Sequence, residues 1–135
     1  MVPVACLCQK HLLGEHGEIH KHRHNFVKGH SIKGRLSPVV QIEPLAMKAR
    51  HDALADEMLK RGYNHQSPYE QTDLSYLSKE QKEANVDVNV SIFDLSSRCE
   101  NCRERLEKHY KESRMDDLFN RDIYVSPQKN FIIVT

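Results

Sequence analysis

Apolar side chains recur at helical spacing from the start of the chain. Leu12, Ile19 and Phe26 lie seven apart, with Leu13 and Val27 beside them, and predict a helix from about Val4 to Lys28. Gly14 and Gly17 fall inside it, and each weakens a helix by about 1 kcal/mol relative to Ala. A chain, a ligand or DNA packed closely against that surface would give them a use. Gly29 to Ile42, with Gly34, Ser37 and Pro38, reads as a loop. Glu43-Pro44 opens a second helix, because proline suits the first helical position and an acid suits the positive end. Met47, Leu54 and Met58 form its stripe, flanked by Ala46, Ala53 and Ala55; Lys60 and Arg61 sit at its negative end, and Gly62 stops it. Tyr63 to Asn89 is polar and holds Pro68, so it reads as a loop with a helical turn near Ser78–Ala84. A loop that long is often functional. A third helix is predicted from Ser91 to Lys111, where Leu95, Cys99, Cys102, Leu106 and Tyr110 make a buried stripe. The tail from Asp122 to Thr135 carries two apolar runs, Ile123-Tyr124-Val125 and Phe131-Ile132-Ile133-Val134, as a docked extended segment or short strands. The pattern as a whole predicts an all-α fold, one compact domain over residues 1–135 with three main helices and long irregular loops.

Length and composition narrow the function. The chain has 135 residues, 39% of them hydrophobic, enough for one small core. No run of 18 apolar residues exists, so no membrane span is expected, and Lys10 and His11 interrupt the apolar start too early for a signal peptide. Four cysteines without a secretion signal point to a reducing, cytoplasmic setting. The net charge of +1 hides an asymmetry. Residues 1–35 hold six Lys/Arg, two acids and six of the nine histidines, a local +4 that suits an anion-binding surface as well as a solvated helix face.

Three sets of residues are candidates for chemistry. Cys6-x-Cys8 with Cys99-x-x-Cys102 invites a metal site, although Cys6 and Cys8 converge only if their segment is extended. Cys99 and Cys102 share a helix face and are the better pair for a metal, but on an apolar stripe reduced cysteine also packs as a small hydrophobe. His16, His20 and His24 share one face, and an i, i+4 histidine pair holds a metal only with a third ligand that the sequence does not reveal. Glu18 stands near Lys21, His22 and Arg23, away from Leu12 and Ile19, as a salt-bridge partner or as the acid/base of a site for polyanions.

The string Leu7-Cys8-Gln9-Lys10-His11-Leu12-Leu13-Gly14-Glu15-His16-Gly17-Glu18-Ile19 resembles the opening helix of the phage and algal-virus endonuclease V-type pyrimidine-dimer DNA glycosylases. Leu59-Lys60-Arg61-Gly62-Tyr63-Asn64 is similar to the end of that family's second helix, and Arg98-Cys99-x-x-Cys102-Arg103 to a third-helix motif of some members. The likeness is good over residues 2–65 and loose beyond. It implies a helical repair enzyme in which an N-terminal α-amine attacks C1′ of the damaged nucleotide, a Schiff base forms, and β-elimination breaks the strand without metal or organic cofactor. An α-amine, with a pKa of about 7.7–8.0, is partly unprotonated at neutral pH, unlike a lysine at about 10.4. The family's catalytic Glu matches Glu18, and its DNA-clamping Arg matches Lys21, which keeps the charge but loses the fork that grips phosphate twice.

Two departures bear on this reading. Gly17 stands where the family has Arg, and the chain begins Met1-Val2-Pro3 directly before the first helix, where the family extends further. Removal of Met1 puts the amine on Val2. The expected site is therefore Glu18 and Val2 for catalysis, with Lys21, Arg23, Lys28 and Arg35 on phosphates. His11, His16, His22, Lys60 and Arg61 are expected beside them on the DNA. The expected partner is duplex DNA with damaged pyrimidines. The alternatives are a catalytically silent homologue that binds nucleic acid or a small nucleotide, such as a viral decoy, and a small metal-binding protein using Cys99, Cys102 and the histidines.

Overall fold

A computed structural model describes residues 1–65 and 67–117, the last six of them by backbone alone. Six α-helices, two 3-10 turns and no strand occur among the described residues, so the chain is all-α as its periodicity predicts. Two units are distinguished: Met1–Gln9 with the chain from Asp87 onward, and Lys10–Val86. The expected apolar tail segments lie outside the described residues.

In the Lys10–Val86 unit, helix α1 (Gln9–Val27) buries Leu12, Ile19 and Phe26, the seven-residue series of the sequence. Leu13 and Val27 do not join them: they are 40% and 59% exposed, because a straight helix buries only one face. The first helix starts at Gln9 rather than Val4, after a separate 3-10 turn Val4–Cys6. It ends on Gly29, whose φ of 70° suits glycine, with Gly29 N–H donating to Phe26 O and His30 N–H to Asn25 O. The stretch expected to be loop includes one helical turn, α2 (Lys33–Leu36), anchored by Ile32, which is buried and accepts the Arg35 N–H.

A 3-10 turn at Pro44–Ala46 leads into α3 (Met47–Lys60), which buries Met47, His51, Leu54, Ala55 and Met58. Gly62, with φ 87°, closes it: Gly62 N–H donates to Leu59 O and Tyr63 N–H to Met58 O. Leu12 and Leu54 have no exposed surface, and each such burial contributes about 1.5–3 kcal/mol. Glu15 of α1 and Arg50 of α3 form a two-pronged, charge-assisted pair at 2.6 and 2.9 Å. The polar stretch after α3 is pinned by buried Tyr69, Leu74 and Leu77. The short helix α4 (Lys79–Lys82) starts on Ser78, whose hydroxyl accepts the Gln81 N–H while the Gln81 side chain accepts the Ser78 N–H.

The other unit corrects the expectation of one continuous third helix. There are two, α5 (Val88–Arg98) and α6 (Glu100–Asp117). Asp87 caps α5 by accepting from Asn89 and Val90 N–H, so it starts before Ser91. Cys99 is extended, with φ −136° and ψ 110°, and breaks the helix after the poor helix formers Ser96-Ser97. Arg103 stabilises the break by donating to the Ser96 carbonyl at 3.0 Å. Leu95, Cys102 and Leu106 are buried with Val2, Cys6, Leu7 and Cys8, whereas Tyr110 at the end of the expected stripe is exposed. Arg105 donates to Ala5 O at 3.2 Å, which ties α6 to the 3-10 turn.

Candidate functional site

Burial of Leu12, Ile19 and Phe26 turns another face of α1 outward, and Glu18 is exposed there. The His22 imidazole beside it is held below the usual histidine range, by burial first and then by Arg35 and Lys21, with Glu18 pulling the other way. Glu18, Lys21 and Arg35 thus surround one half-buried ring, and Lys28 is exposed further along α1. A Cβ built on Gly14 or Gly17 meets no protein atom within 4 Å. Among the described residues no segment packs there, so the surface beside Glu18 is open to that extent.

The other expected DNA contacts divide. Arg23 turns to the loop after α3, donating to Glu70 O at 2.8 Å with its guanidinium 5.9 Å from the Tyr69 ring centre. Arg61 donates to the Glu57 carboxylate at 2.9 Å, and both side chains are only 14% exposed. Each thus spends its Nε–H on an acceptor within the fold. Lys60 is exposed. His11 is partly buried, and Val2 is 7% exposed in the Met1–Gln9 segment.

His16 lies two residues before Glu18, about 200° around the helix, and serves a different cluster. Its Nε2 is 3.2 Å from His51 Nε2 of α3 and 2.9 Å from His65 Nε2 of the following loop. His51 Nε2 is also 2.9 Å from the Ser67 carbonyl, and its Nδ1 is 3.0 Å from the Asp52 carboxylate. The His20 ring stacks edge-on against His16 and His51, and its Nε2 is buried without a hydrogen-bond partner. Burial, then His20, His51 and His65, lower the His16 pKa to about 4. His51 and His65 were not among the expected site residues. His51 left a trace, since it falls in phase with Met47, Leu54 and Met58; His65, in a polar loop, left none.

A second cluster is built of thiols. Cys8 Sγ is 3.9 Å from Cys99 Sγ, the Cys8 N–H donates to Cys102 Sγ at 3.2 Å, and the Cys102 N–H donates to Cys99 Sγ at 3.4 Å. The Cys102 N–H holds the Cys99 thiol below its usual range, while burial pushes Cys102 up to about 12. The helix break at Cys99 separates this arrangement from a simple packed stripe. Cys6, fully buried, is not part of the cluster.

A family model described as pyrimidine dimer DNA glycosylase matches residues 1–71, just over half of the 135-residue chain. No curated protein matches the chain, and no solved structure does. The matched stretch includes Glu18, Lys21 and the three converging histidines; Cys99 and Cys102 lie beyond it.

Proposed function

The chain belongs to the pyrimidine dimer DNA glycosylase family, and we propose that it removes damaged pyrimidines from duplex DNA and cleaves the strand as an abasic-site lyase. The observation that carries this reading is the exposure of Glu18, which the resemblance equates with the family's catalytic Glu, on the glycine-lined face of α1 beside Lys21, His22 and Arg35. Lys21, Lys28 and Arg35 would hold phosphates, and extrusion of the damaged nucleotide would bring its sugar to Glu18.

In this reaction the N-terminal α-amine, on Val2 once Met1 is removed, attacks C1′ and the base departs. The C1′–O4′ bond then opens and the attached nitrogen loses a proton, which leaves a Schiff base at C1′. Glu18 stabilises the positive charge that develops on the sugar and accepts the C2′ proton, and β-elimination expels the 3′ phosphate. The test is strand cleavage of a duplex carrying one thymine dimer. The wild-type chain should cleave it, and Glu18→Gln should lose about 10²–10⁴-fold in rate, the range of a general acid/base, with an unchanged circular dichroism spectrum. A folded wild type with no cleavage, or a fully active Glu18→Gln, would overturn the assignment.

A second reading, binding of nucleic acid or a nucleotide without catalysis, is favoured by the burial of Val2, the residue that would carry the amine. Nucleotide co-purifying with the chain, seen as raised absorbance at 260 nm against a protein with no Trp, would support it.

A further inference from the structure

We propose that the chain binds two divalent transition-metal ions apart from the Glu18 surface, one on the imidazoles of His16, His51 and His65, the other on the thiolates of Cys8, Cys99 and Cys102. Each set stands on its own observations.

The imidazole site rests on distance and on the contacts each ring nitrogen makes. Tetrahedral zinc with Zn–N of about 2.0–2.1 Å puts ligand nitrogens about 3.3 Å apart. The observed separations from His16 Nε2 are 3.2 and 2.9 Å, and the three ligand atoms lie within 4.8 Å of one another. A network of neutral rings does not account for this geometry. With Nδ1–H donating to the Asp52 carboxylate at 3.0 Å, the Nε2 of a neutral His51 carries a lone pair. That lone pair faces the Ser67 carbonyl oxygen at 2.9 Å, acceptor against acceptor. A metal cation satisfies His51, His16, His65 and the Ser67 carbonyl together, and Asp52 on His51 is the outer carboxylate such ligands commonly have. The ion would tie the loop after α3 to α1 and α3.

The thiol site has the better metric match. Zn–S of about 2.3 Å gives a tetrahedral S···S edge of about 3.8 Å, and Cys8 and Cys99 are 3.9 Å apart. The Cys8 and Cys102 amides donate to cluster sulfurs, as amides do toward charged thiolates. The helix break places the Cys99 thiol within reach of both other thiols. Three thiolates leave one position of a tetrahedral ion for a fourth donor. A donor set rich in cysteine suits a structural zinc site.

The test uses the full chain without DNA, so it reads independently of the glycosylase assignment. Metal-free protein is titrated with Co²⁺ and then Zn²⁺, with bound metal counted by mass spectrometry. Two equivalents are expected, one of them giving a thiolate-to-cobalt charge-transfer band in the near ultraviolet. Cys99→Ser should lose the band and one equivalent; His65→Ala should keep the band and lose the other. Where a variant fails to fold, the wild-type titration still decides. One equivalent with the band overturns the imidazole site, one without it overturns the thiol site, and none overturns both.

Discussion

Replacing Gly17 with Ala adds one methyl group to the outward side of α1, where it meets no protein atom within 4 Å. In the free protein the change restricts the unfolded backbone and creates no clash. An interior helical glycine costs about 0.5–1 kcal/mol relative to Ala, so the variant should gain that amount. For a chain of this size the gain is a Tm increase of roughly 2–5 °C. The same methyl group occupies the space next to Glu18 into which lesion DNA is proposed to fit. Affinity for a duplex with an abasic-site analogue, read by fluorescence anisotropy, should therefore fall while stability rises. Gly14→Ala, one turn earlier, should show the same stability gain. A lower Tm would refute the open-face description of α1. A higher Tm with unchanged affinity and cleavage would refute the close approach of DNA to this face.

Leu54→Ala removes a side chain with no exposed surface and should cost about 2–5 kcal/mol in a denaturant titration; a loss below 1 kcal/mol would contradict its place in the core. DNA binding should weaken steeply with salt, and Lys21→Gln or Lys28→Gln should each flatten the log–log slope by about 0.9. Arg61→Gln should leave that slope unchanged, because Arg61 is committed to Glu57; a flattening equal to that of Lys21→Gln would show that it contacts phosphate.

Helices α1 and α3 were legible because their signals are local. The series Leu12, Ile19, Phe26 and the stripe Met47, Leu54, Met58 each mark one buried face, and Gly62 marks a stop that needs positive φ. The break at Cys99 was not legible. Correct helical spacing from Leu95 to Leu106 is equally compatible with one helix and with two, and a single extended dihedral pair leaves no trace in periodicity. The exposed position of Glu18 followed from the phase of α1, whereas the fates of Arg23 and Arg61 depended on partners supplied by the fold, Glu70 and Glu57. The clusters were half visible for the same reason. His16 was identified on its helix face, but its partners are 35 and 49 residues away in sequence, and Cys8 meets Cys102 across 94. The local argument that Cys6 and Cys8 diverge on a helix does not apply, since Cys8 precedes α1 and joins Cys99, in the helix break, and Cys102 of α6 without Cys6.

Borohydride reduction during reaction with a duplex carrying one thymine dimer tests the proposed glycosylase most directly, because it traps the imine between amine and C1′. A covalent protein–DNA adduct that maps to the N-terminal peptide, and that is lost in Glu18→Gln, is the predicted result. A folded chain that binds the duplex and yields no adduct, on the dimer or on an abasic site, would contradict it.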